Sequence, residues 1–138
     1  MNPVITVVSL GPGDPKLLTL QTAEALRKAR CLILRTARHR VSEWLQEEGV
    51  SFTDFDPLYD EYEDFDALHA EMARRLWLEA QEKPVTFAVM DAQTDGAVRS
   101  VRAACPEDGK VIIKAEDTLA GKQIKVTLDL LVLMSGMV

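Results

Sequence analysis

The fold this sequence predicts is α/β, a mainly parallel five-stranded sheet with helices on both faces. Three observations predict it. Short β-branched runs alternate with helix-period stretches over most of the chain, the pattern of βαβ units joined by right-handed crossovers. The first run, Val4-Ile5-Thr6-Val7-Val8, is apolar on both faces, as a central parallel strand covered by helices requires. A glycine-rich turn, Gly11-Pro12-Gly13-Asp14-Pro15, follows it directly and leads into a helical pattern.

The elements follow in order. Thr19 is the expected N-cap of a helix carrying Leu20, Ala23 and Leu26 on one side. Arg27, Lys28 and Arg30 close that helix, where positive charge suits the helix dipole. Cys31 to Leu34 is the second strand; Val41, Trp44, Leu45 and Glu48 then fall at helical spacing, and Gly49 supplies the stop. Ser51-Phe52-Thr53 is a short third strand. The longest helix is expected from Phe65 to Glu82, with Phe65, Leu68, Met72 and Leu76 on its buried face. Pro84 ends it, and Val85 to Val89 is the fourth strand. Gly96 to Ala104 forms a helix carrying Val98 and Val101, and Lys110 to Lys114 is the fifth strand. Beyond Thr118 the rhythm changes: Ile124 to Leu128 alternates as a half-buried strand does, followed by apolar Val132, Leu133 and Met134. The chain therefore divides into a domain over residues 1–117 and a tail over 118–138 with an extra strand.

Composition bounds the function classes. With 138 residues, 47% hydrophobic and 28% charged, the chain has material for one domain with a real core. A net charge of −6 offers no basic field for nucleic acid or an anionic membrane. The N-terminus lacks the basic start and apolar run of a signal peptide, and no apolar stretch approaches the ~20 residues of a membrane span. A cytoplasmic setting is expected. Cys31 and Cys105 lack CxxC spacing and read as buried free thiols. With His39 and His69 they make no metal-ligand set.

The residues that can carry chemistry cluster in two loops. The turn at Gly11 to Pro15 sits where backbone N–H groups and a helix start can approach a polar or anionic ligand. It lacks the Gly-Lys-Ser/Thr ending of a phosphate-binding loop, and Pro15 and Lys16 depart from GxGxxG. Glycine-loop logic alone leaves a ligand cradle and a tight turn requiring positive φ as equal alternatives. The acidic run Asp54, Asp56, Asp60, Glu61, Glu63, Asp64 and Asp66 is spaced irregularly for a metal, and Asp64 and Asp66 suit a helix start. It is read as a solvated segment. Arg35, Arg38, His39 and Arg40 form a small basic patch after the second strand.

Gly11-Pro12-Gly13-Asp14-Pro15 with Leu17-Leu18-Thr19, placed straight after an N-terminal apolar strand, resembles the opening signature of the tetrapyrrole methylases. The segments Ile33 to His39, Val41 to Leu45, and Phe55 to Tyr59 running into Asp64 to Asp66 resemble the branch fused to MazG-type nucleotide pyrophosphohydrolases. The likeness covers roughly Val4 to Lys114. It implies two α/β domains with S-adenosylmethionine between them and methyl transfer to a corrin or porphyrin. Gly11, Pro12, Gly13, Asp14 and Pro15 would face the acceptor. A second loop, after the fourth strand, would contact the donor through Met90, Asp91 and Ala92.

Two departures qualify that resemblance. Met90 and Asp91 stand where the family has proline and glycine. Asp91 is offered to a ribose hydroxyl or a methionine amino group, and loop drift after loss of the ligand is the alternative. No counterpart of the second domain, of the proline-glycine turn expected after the fifth strand (here Lys114 to Asp117), or of a pyrophosphohydrolase is recognisable. Half a two-domain cleft cannot enclose a ligand. The expectation is an incomplete methylase-like domain needing a partner chain, or a non-catalytic half-domain that binds a small molecule or a protein and has no cofactor; a truncated reading frame is a third account. Whether the chain is an enzyme is left open. The apolar tail is expected to complete the sheet or to pair with a second copy, and the homodimer is the preferred outcome.

Overall fold

A computed structural model describes residues 2–114. Among these residues the elements are β1 (Val4–Ser9), a 3-10 turn (Pro15–Leu17), α1 (Leu20–Lys28), β2 (Leu32–Leu34), α2 (Arg40–Glu47), β3 (Thr53–Asp54), α3 (Asp56–Glu61), α4 (Phe65–Ala80), β4 (Val85–Val89), α5 (Gly96–Ala103) and β5 (Lys110–Lys114). The strands form one sheet in the order β3-β2-β4-β1-β5. Every pairing is parallel, with Val7 opposite Phe87 on one side and Ile113 on the other. The expected α/β architecture holds.

Alternation along the strands builds two cores. Ile5, Val7, Ile33, Val85, Phe87 and Val89 face α4 and α5, with Leu58 of α3 on the same side. Val8, Leu32, Leu34 and Ala88 face Leu26 of α1 and Val41 and Leu45 of α2. All five residues of β4 are buried, as a strand covered on both faces must be. On α4, Leu68, Met72, Ala73, Leu76, Trp77 and Ala80 are buried, and the Trp77 indole N–H donates to the Val101 carbonyl at 2.9 Å. That bond pins α4 to α5 where the indole would otherwise lack a partner.

The helix starts follow capping logic. Thr19, Asp64 and Asp95 each accept a backbone N–H of the first turn of α1, α4 and α5, satisfying donors that the helix leaves orphaned. Gly49 ends α2 at φ 76°, as expected of a left-handed terminator.

Several expectations are corrected. The acidic run is not merely solvated: Asp56–Glu61 is a helix. Pro57 sits in its first turn and Leu58 is buried, and proline there presets helical φ without losing a needed N–H. Phe65 does not join the buried face of α4 but is 65% exposed, and Leu20 is 90% exposed. Each stands in the first turn of its helix, and on α1 the buried place is taken by Thr22, bonded to Thr19. The third strand lies at Thr53–Asp54, shifted past Ser51 and Phe52. Both cysteines are free and half-buried rather than buried; burial, then Glu79, pushes the Cys31 thiol up. The tail at 118–138, its extra strand and the homodimer drawn from it lie outside the described residues.

Candidate functional site

The sheet order fixes where a ligand can sit. The connections after β1 and β2 use the α1/α2 face, and the connection after β4 uses the α5 face. Because β4 lies between β2 and β1, the chain leaves neighbouring strands toward opposite faces. That is a topological switch point, and in open α/β sheets the crevice outside the carboxyl ends of such strands is where ligands bind.

A cavity of about 220 Å3 occupies this place. Leu10 after β1, Ala88 and Val89 of β4, and Met90 just beyond form its apolar part. Arg35, Thr36, Arg38 and His39 after β2, with Asp95 at the start of α5, form its polar part.

The two loops singled out in the sequence meet here. The Leu10 N–H donates to the Val89 carbonyl at 2.7 Å, and the Gly11 N–H to the Met90 carbonyl at 3.0 Å. The β1–β4 ladder thus runs on past both strand ends and fastens one loop to the other. Gly11 (φ 75°) and Gly13 (φ 129°) both need the positive-φ freedom that glycine supplies. Asp14 accepts the Lys16 N–H and caps the 3-10 turn that Pro15 begins. Pro12 is exposed. None of Gly11 to Pro15 lines the cavity itself; Leu10 is the loop's point of contact with it.

The second loop divides the expected trio. Met90 lines the cavity and is 60% exposed. Asp91 is spent within its own loop, accepting the Gln93 N–H and the Thr94 hydroxyl, each at 3.1 Å. Ala92 is buried, and its N–H donates to the Ser9 hydroxyl at 3.0 Å. An Asx turn of this kind explains an aspartate at the position without a ligand.

His39 joins the loops from the β2 side. Its Nδ1 accepts the Val41 N–H at 3.2 Å and caps α2. That leaves the proton on Nε2, which lies 3.2 Å from the Gly11 carbonyl and donates to it. Of the patch read from sequence, His39 is a clasp on the glycine loop, Arg38 is exposed, and Arg35 is half-buried among protein partners.

Asp56, beyond β3, receives the Thr36 hydroxyl and the Ala37 N–H. Sequence reasoning gave no role to Asp56, Tyr59, His69 or Asp95. The short helix hid the first two, and His69 is far from the loops in sequence. Among the described residues no group of three His, Cys, Asp or Glu side chains could hold a metal ion, and no helix is long and apolar enough to cross a membrane.

Comparison with known proteins bears on this site. The sequence profile of the Tetrapyrrole (Corrin/Porphyrin) Methylases matches residues 4–119. The uncharacterized protein YabN of Bacillus subtilis (strain 168) is 38% identical over 85 residues, which is 62% of this chain and 17% of that protein. The match therefore spans less than a fifth of that relative's length.

Proposed function

The chain belongs to the tetrapyrrole (corrin/porphyrin) methylase family, and from that premise we propose that its switch-point crevice forms one wall of a methyl-transfer site. At the level of the family, S-adenosylmethionine supplies the methyl group and a corrin or porphyrin receives it. The observation that carries this reading is the backbone tie between Gly11 and Met90. It sets the expected acceptor loop, Gly11 to Pro15, beside the expected donor loop, Met90 to Ala92, at the place where the topology calls for a ligand. In such a wall the residues position rather than react: glycine at 11 and 13 keeps side chains away from an acceptor, and Leu10, Val89 and Met90 exclude water.

The fit to the methyl donor is partial. The cavity of about 220 Å3 is below the ~300–1,000 Å3 usual for a ligand of that size. The Asp91 carboxylate and the Ala92 N–H are already spent inside the protein. This same observation favours a second reading, a non-catalytic half-domain that binds a small ligand or a protein. On either reading the donor binds the chain by itself weakly, at Kd above about 1 mM, or about 4 kcal/mol.

The experiment is a titration with S-adenosylhomocysteine followed by NMR. Amide shifts at Leu10, Gly11, Val89 and Met90 in the millimolar range support the wall. Shifts elsewhere, or none, refute it. A micromolar Kd by calorimetry overturns weak binding and favours the methyl-transfer reading over the non-catalytic one. The proposal extends to a place near the MazG-fused branch, on the Ile33 to His39 and Phe55 to Tyr59 segments, to a cytoplasmic setting, and to self-association through residues 118–138.

A further inference from the structure

Arg35 lines the cavity, and all three of its guanidinium nitrogens are engaged by protein. Nε donates to the Tyr59 hydroxyl at 2.9 Å. Nη1 donates to the Asp95 carboxylate, and Nη2 lies 3.1 Å from His69 Nε2. Arginine has no acceptor, so His69 Nε2 accepts and its proton sits on Nδ1. The Arg35 N–H meanwhile donates to the Ala88 carbonyl at 2.9 Å and continues the β2–β4 ladder. One residue thus fastens the end of β2 to β4, α3, α4 and α5.

Asp95 is the far end of the Met90 loop. Its Oδ1 caps α5 by accepting the Ala97 and Val98 N–H groups at 2.7 and 3.2 Å, while Oδ2 takes Arg35. Its side chain is 8% exposed and that of Arg35 20%, so the pair is shielded from the screening that makes surface pairs weak. Burial works against the Arg35 charge, but Tyr59 and Asp95 outweigh it and hold the guanidinium more firmly protonated than usual. Gly96 completes the arrangement: a Cβ there would lie 2.5 Å from His69 Cε1, so glycine is what lets the imidazole sit against the start of α5.

We propose that Arg35 is a positioning residue, whose three side-chain bonds fix the loop from Met90 to Asp95 as the wall of the cavity. With three of its five N–H donors, one on each nitrogen, held by Tyr59, Asp95 and His69, the guanidinium is fixed in orientation and braces the shape of the site. The idea rests on the wall reading above for its functional meaning, but its test needs no ligand, so the two fail separately.

The test uses the full chain and compares Arg35→Lys with Arg35→Leu. Lysine keeps the charge but cannot address three partners in a plane. Hydrogen exchange at the Thr94, Asp95, Ala97 and Val98 amides should accelerate roughly tenfold or more in both variants, on the scale of a lost charge-assisted bond, while exchange at Phe87 and Met72 stays within about twofold. The second readout is the NMR titration of His69. Burial and then Arg35 hold its imidazole below the usual value, Asp95 and Asp66 oppose them, and Arg99 adds to them. Arg35→Leu should raise the His69 midpoint, and Arg35→Lys should leave it low. Unchanged loop exchange in both variants, or an unmoved His69 midpoint in Arg35→Leu, would overturn the proposal. So would equal acceleration throughout the sheet, or failure of Arg35→Lys to fold, since either makes Arg35 a general structural residue.

Discussion

Gly13 offers a clean test of what the glycine loop needs. Its φ of 129° lies outside the left-handed well near +50 to +70° that asparagine tolerates, whereas Gly11 at 75° lies close to it. A Cβ built at either position meets nothing within 4 Å, so no clash contributes and the cost of a side chain is backbone strain alone. That strain is about 1–3 kcal/mol for a residue held in such a region, and a β-branched side chain lies at the upper end. Gly13→Val should therefore destabilise by about 2 kcal/mol, a urea midpoint shift on the order of 1 M at the usual slope. Gly13→Asn should cost nearly as much, and Gly11→Asn should cost clearly less. Equal midpoints for wild type and Gly13→Val would refute the argument. So would equal costs for asparagine at 11 and 13, because the order of the two rests only on φ.

Gly96→Ala should destabilise by about 1–2 kcal/mol: His69 is driven off Arg35, a loss of about 1.5–3 kcal/mol for a bond to a charged group, less the gain from removing a helical glycine. With His69→Ala in the background the same change should be neutral or stabilising, and additivity of the two substitutions in denaturant melts would count against it. Glu71, bonded by Arg74 and then Arg75, has its carboxyl held down to about 2 from the ordinary 4.5. Its folded value is depressed, so its contribution is present above 4.5 and is lost as pH falls toward 2. Both arginines are about half exposed, which limits the effect to less than about 1 kcal/mol. Glu71→Gln should flatten stability against pH across that window, and a parallel profile would contradict this. Sedimentation of the full chain against a version ending at Asp117 checks self-association through the tail. A full-length monomer at tens of micromolar would exclude the dimer, and an equally stable shortened chain would exclude a structural role for residues 118–138.

The sheet was legible because its signals are local. Val4 to Val8 is a continuous β-branched run and Val85 to Val89 is nearly so, each preceded by proline, and both are interior strands of the sheet. Thr19 and Gly49 announce a helix start and a helix end in single residues, and both act so. The misses occur where a local signal competes with a tertiary one. Asp56 to Glu61 is acidic enough to pass for a solvated loop. What makes it a helix is Pro57 in the first turn and Leu58 finding a core, which charge counting cannot see. Phe65 fits the apolar stripe of α4 by spacing, yet the turn it occupies is not covered, and it stacks on His69 with ring centroids 6.2 Å apart instead.

The site was half legible for a related reason. A motif is readable when its residues are contiguous, and Gly11 to Pro15 is contiguous; what it joins is not. The loop it joins is expected in the sequence only through the resemblance, at Met90 to Ala92. There Asp91 braces its own loop and the Ala92 N–H turns to Ser9. The loop thus keeps its place beside Gly11 while presenting only the Met90 side chain of the three to the cavity. Arg35 is the converse case. In the sequence it is one member of a small basic patch. In place, Tyr59, His69 and Asp95, drawn from three other elements, hold all three of its guanidinium nitrogens. Charge in a sequence marks where a ligand anion could be met, but the bonds already made decide how the charge is held and which elements it ties together.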